Sequence, residues 1–143
     1  MNSAPIPPAL GAPITDEEQF HNAYRVFHMA VAIAAPPEEE QCAAMGSYNV
    51  AWELRDDVSA GQYLLGRGYL STLQEEWVAA LVEAVKLVPT SALPAGTGLA
   101  PNIEAMSHAS WQPVRVLAAE VLRQLAPFTA ANARYLGLPQ NAA

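Results

Sequence analysis

Cysteine and positive charge are what this 143-residue chain has least of. Cys42 is the single cysteine, so no disulfide can form within the chain, and a reducing cytoplasm is the expected compartment. Seven lysines and arginines stand against fourteen acids, for a net charge of −7. No basic cluster exists to neutralise phosphates, which argues against nucleic acid as a partner. Long apolar runs are missing too. Charges interrupt each of them well short of a membrane span, so no membrane partner is expected. Charged residues make up only 15% of the chain and hydrophobic ones 52%, which argues against a disordered polypeptide. At 15.3 kDa the chain is long enough for one domain with a real core.

Catalytic signatures are equally scarce. Ser107 and Ser110 flank His108, but no G-x-S-x-G elbow is present, and a serine beside its own histidine rarely acquires triad geometry. The G-T-G of residues 95–101 has no lysine after it and no strand before it, so a phosphate loop is unsupported. Cys42 falls on an inward stripe and reads as core filler. Glu18 and His21 form one E-x-x-H pair, where a di-iron bundle needs two pairs and two further glutamates. Glu104 and His108 are a second, isolated pair. His21, Arg25 and His28 share one side of a helix, where a solvated face is the simpler expectation. From these absences no enzymatic activity, no cofactor and no resident metal are expected.

What is present is helical punctuation. Residues 1–14 are uncharged and rich in proline, and predict an extended arm preceding a helical domain at 15–143. Thr15 and Glu18 form a capping box, opening a helix with Phe20, Tyr24, Phe27, Val31 and Ala34 inward and Ala23 and Ala30 beside them. Pro36 and Pro37 end it. A second helix is predicted from Pro37 to about Ser59, with a hairpin pairing 48–55 with 62–69 as the competing reading. Gly46 fits either a mid-helix position or a C-cap. Ser71 and Gln74 cap a helix over Leu70–Val88, whose broad apolar stripe includes Leu73, Trp77, Leu81 and Ala84. That stripe predicts a surrounded central helix with Trp77 buried. After a loop at 90–101, Asn102 is a candidate cap for a short helix carrying Ile103 and Met106 inward. Ser110 and Pro113 then open a last helix with stripe Val114, Leu117, Val121 and Leu125, which Pro127 is expected to end or kink. Gly137 marks the stop of the final segment. The expected fold is all-α, a single-domain bundle of five to six helices, with its main layer formed by the first two and the central one.

The charge is unevenly placed. Residues 1–60 hold nine acids and two arginines, and the remaining residues balance five against five. An acidic half suits a basic protein partner. Within it, Trp52 among Glu53, Asp56 and Asp57 is the sharpest candidate for a partner-binding site, an aromatic anchor ringed by acids if exposed. The expected function is therefore a non-enzymatic, intracellular protein that binds a basic protein. An immunity protein or antitoxin that neutralises a toxin fits by likeness of composition alone. A ligand- or metal-binding bundle, using the histidines and the 90–101 loop, is one rival. A self-associating structural subunit, forming a homodimer over its apolar surface, is the other.

Overall fold

A computed structural model describes residues 13–93 and 96–139, and the proline-rich arm expected at 1–14 lies almost wholly outside them. Six α-helices are present among the described residues: α1 (Asp16–Ala34), α2 (Glu38–Met45), α3 (Val50–Ser59), α4 (Thr72–Lys86), α5 (Leu99–Met106) and α6 (Trp111–Leu136). Short 3-10 turns follow α3 at Ala60–Leu64 and α4 at Thr90–Ala92. No strand forms among the described residues, and one isolated bridge joins Tyr48 to Thr97. The fold is an all-α bundle.

Both capping boxes form as their sequences require. Thr15 Oγ1 accepts the Glu18 amide at 3.0 Å, and Ser71 Oγ accepts the Gln74 amide at 3.1 Å. In α1, Phe20, Tyr24, Phe27, Ala30, Val31 and Ala34 are buried at the expected helical spacing, while Ala23 faces solvent. In α6, Val114, Ala118, Val121 and Leu125 are buried, with Leu117 and Leu122 half-buried beside them.

Three expectations are corrected. The segment 37–59 is two helices rather than one, and the hairpin alternative does not form. Gly46 adopts φ 75°, a left-handed C-cap, and its amide reaches back to carbonyls of α2. Ser47 and Asn49 follow with φ of 51° and 48°, so the chain reverses hand before α3 begins. The helix over 72–86 is not surrounded. Its buried stripe is Val78, Leu81, Val82 and Val85, leaving Trp77 half-buried against the core and Leu73 exposed. The long C-terminal helix takes the central place, because α6 lies along both α1 and α4 while α3 packs behind them. The main layer is therefore α1, α6 and α4. Finally, of the two outcomes expected at Pro127 the helix does not end there, and α6 runs on to Leu136. Proline removes one backbone donor and crowds the preceding turn, but Pro127 is on the solvent side. Nearby carbonyls find side-chain donors: Gln74 Nε2 reaches Gln124 O at 3.3 Å, and Tyr24 Oη reaches Leu125 O at 3.4 Å.

Asn102 is a hub of the bundle and not a cap of its own helix. It is buried in α5, which starts at Leu99, and its carboxamide projects onto the α2–α3 turn. Oδ1 accepts the amide of Val50, the first residue of α3, at 2.9 Å. Nδ2 shares its two protons among the carbonyls of Ser47, Gly96 and Gly98 at 2.8, 3.1 and 2.8 Å. Backbone bonds from Asn49 N to Gly96 O and from Gly98 N to Ser47 O complete the junction. Asn49, formally the N-cap residue of α3, instead accepts Gly96 N with its side chain.

Two substitutions test this packing. Asn102→Ala orphans the buried helix-initiating amide of Val50 and the carbonyl of Gly98, and takes one of two donors from the Ser47 and Gly96 carbonyls, so it should lower unfolding free energy by about 3 kcal/mol in urea titration. Gly61→Ala would place a Cβ 2.5 Å from Phe27 Cε1, a ring that is 1% exposed. It should cost about 1–3 kcal/mol.

Candidate functional site

Burial of Val50, Ala51, Leu54 and Val58 fixes which side of α3 points inward. At 100° per residue the opposite arc carries Trp52, Asp56, Glu53 and Asp57 in that angular order, and all four are exposed. Trp52 is 47% exposed, meeting the condition on which an aromatic anchor depends. Tyr48 precedes the helix and Tyr63 follows it, at 51% and 67% exposure. The predicted residues are thus all exposed on the outer side of one helix, and two exposed tyrosines lie just before and after it in sequence. Sequence spacing does not place Tyr48, because Asn49 at φ 48° stands between it and the helix of Trp52.

The three acids make no ion pair among the described residues. Arg55, the arginine of this helix, turns the other way and donates from Nη2 to Lys86 O at 3.2 Å, closing the C-terminal end of α4. Lys86 is drawn to Glu83 and Gln62. Partial burial, then the neighbouring Asp56 and Glu53 charges, push the Asp57 carboxyl up from the usual range. The surface therefore holds uncompensated negative charge that a cation would relieve.

Some acids elsewhere are held by partners. Asp16 accepts from Arg67 Nη2 at 2.6 Å and from Tyr69 Oη at 3.0 Å, tying the start of α1 to the glycine-rich turn. Those two hydrogen bonds, Tyr69 first, hold its carboxyl below the usual range. Glu18 is used in its capping box. The E-x-x-H reading fails on its own geometry, since His21 Nδ1 is 2.9 Å from Asn132 Nδ2 and Nε2 faces Glu17 at 3.9 Å. At Glu104–His108, the imidazole Nδ1 accepts the Ser110 amide at 3.1 Å and lies 2.8 Å from its hydroxyl. No cluster of three or more metal-capable side chains occurs among the described residues. Cys42 is buried, and that burial followed by Glu38 and Glu39 pushes its thiol up, away from the thiolate.

The solvated histidine face is a correction. His21 is 5% exposed, stacked on Tyr135 at 3.9 Å and Phe128 at 5.5 Å between centroids. Asn132 Nδ2 also donates to the His21 carbonyl at 2.9 Å. A polar pair inside an aromatic cluster is invisible to periodicity, which scores histidine as a surface residue. His28 is half-buried beside Tyr24. Between α1 and α6 runs a groove of about 680 Å³ lined by Tyr24, Arg25, His28, Met29, Leu122 and Ala126 among others, which sequence reasoning did not foresee. A smaller cleft of about 320 Å³ lies at Pro37, Glu38 and Arg115. There the Arg115 guanidinium donates to Gln41 Oε1 at 3.0 Å and to the Met106 carbonyl, and Gln41 Nε2 donates to Ala34 O at 2.8 Å. Those contacts lock α2, α5 and α6 together, which is structural work.

No helix among the described residues is long and apolar enough to cross a membrane. Comparison with protein-family models, with curated proteins and with solved structures finds no match.

Burial lowers the pKa of both His21 and His28 from 6.5, with Glu17 partly opposing it at His21. The unfolded chain therefore binds protons first as pH falls. The stability contributed by these neutral rings is complete above pH 6.5 and is lost as pH drops toward the lowered folded values. Denaturation midpoints measured from pH 7.5 down to about 5 should fall. His28→Phe, which removes no hydrogen bond, should flatten that slope. An identical slope in both His28→Phe and His21→Phe would show that neither ring is responsible.

Proposed function

We propose that this is a non-enzymatic binding protein that docks a basic protein partner on the outer face of α3. The observation that carries the reading is a half-exposed Trp52 beside Glu53, Asp56 and Asp57, three carboxylates with no internal counter-ion among the described residues. An aromatic ring on a rigid helix loses little conformational entropy when covered, and aromatics concentrate binding energy at interface centres. Uncompensated acids around it steer a cationic partner and reject an acidic one. A lysine or arginine docked there would offset the partial burial and the neighbouring Asp56 and Glu53 charges that push the Asp57 carboxyl up.

An inhibitory role toward a basic toxin, of immunity or antitoxin type, is the narrower form of this reading. It rests on the same face and on acidic composition, and intracellular action accompanies it. A monomeric domain with a pre-formed helix face would suit rapid, salt-sensitive capture.

Quantitative capture of proteins from a native lysate at low salt tests the surface. Wild-type protein should retain basic proteins that the Glu53→Lys, Asp56→Lys, Asp57→Lys triple variant releases. Trp52→Ala should weaken each such complex by roughly tenfold or more, the scale of a hot-spot aromatic. The same proteins retained equally by wild type and triple variant at low salt would place the partner elsewhere.

A further inference from the structure

The groove between α1 and α6 is independent of the acidic face and has a chemistry of its own. At about 680 Å³ it falls in the size range of small-molecule sites. Tyr24 pairs with Thr129 and His21 with Asn132, so the two helices run antiparallel. Arg25 consequently lies toward Ala133 and Leu138, and Ala32 toward Leu122. The second end is apolar, with Met29, Ala32, Leu122 and Ala126 along its walls. From Leu122 to Ala133 the α6 wall is about 16 Å long at 1.5 Å per residue.

Charge complementarity decides the occupant. In a chain with fourteen acids and seven bases, no acid among the described residues lines this groove, and the ionisable ones that do are Arg25, His28 and Tyr24. Arg25 is exposed and has no ion pair among the described residues, whereas Arg67 and Arg123 each hold a carboxylate. Tyr24 stays a neutral hydroxyl, because burial pushes it up to about 12, and it is bonded to Thr129 Oγ1 at 2.7 Å. A neutral apolar occupant would leave Arg25 and the tip of His28 unanswered. Residues 1–12 carry no carboxylate to answer them either.

We propose that this groove binds an amphipathic monocarboxylate, its alkyl chain along Met29, Ala32, Leu122 and Ala126 and its carboxylate at the Arg25 end. A guanidinium presents paired donors that match both carboxylate oxygens, and His28 stands one helical turn further along to share the charge.

Titration of the full chain with decanoate below its micellar range, followed by NMR of the His28 ring and the Met29 methyl, tests the proposal. Saturable one-to-one shifts are expected, together with an upward move of the His28 titration midpoint. Decanol should bind at least tenfold more weakly than decanoate, and Arg25→Gln should erase that preference. Ala126→Trp, a substitution at an exposed helical position, should abolish both sets of shifts while the thermal melt is retained. Should that variant fail to fold, Arg25→Gln still decides the matter, because its side chain is exposed. Absence of saturation, equal affinity for decanol and decanoate, or undiminished binding by a folded Ala126→Trp would overturn it. Saturation seen only after deletion of residues 1–12 would also overturn it, in favour of that segment as the occupant.

Discussion

The carboxamide of Asn102 holds together two turns that neither could satisfy alone. Three of the four residues at 46–49 have positive φ, which leaves the carbonyl of Ser47 and the amide of Val50 without partners inside any helix. Residues 96–98 carry two glycines at positive φ and leave two more carbonyls. A buried backbone group without a partner costs on the order of 1–3 kcal/mol, so these turns are stable only where they meet. Asn102 supplies one acceptor and two donors at that point, an inventory that serine, aspartate or leucine could not reproduce. The orientation of α3 follows from it, and with that orientation the direction in which Trp52 and its acids face. The acidic face of α3 is thus set from behind by a neutral side chain some fifty residues away in sequence.

Helix content was legible because its signals are local. Capping boxes at Thr15–Glu18 and Ser71–Gln74 involve neighbours three residues apart, and the stripes of α1 and α6 repeat with the helical turn. The errors share a cause. Gly46 could not be resolved between mid-helix and cap because its left-handed conformation is sustained by the distant 96–102 segment. Trp77 and Leu73 fall on the expected core stripe because hydrophobicity alone cannot tell which flank of a helix a neighbour covers. His21 scores as surface because its partners Asn132, Phe128 and Tyr135 are more than a hundred residues on. Of the candidate surface, the acids and Trp52 could be recognised from composition and spacing. The flanking tyrosines and the groove could not, since both depend on where elements come to rest.

Two surfaces of opposite character result. The outer side of α3 is acidic and aromatic, and its carboxylates find no cation within the described residues. The α1–α6 groove is apolar with a basic end, and no carboxylate lines it. Arg25 and Arg55 are the two cations of the acidic half, and the fold sends Arg55 inward to the end of α4 while leaving Arg25 in the groove wall. Internal neutralisation would have been available had either arginine been aimed at the Asp57 cluster. The fold instead keeps both arginines apart from that cluster.

The pairing of α1 with α6 joins residues 101 and 111 positions apart. During synthesis His21 and Tyr24 are therefore made long before the α6 residues they bond. Capped and acidic at its start, α1 can form its backbone bonds early, while the part of its apolar face that packs on α6 stays uncovered until that helix is made. Closing so non-local a contact is a slow step of folding, and until it closes that face is open to other chains.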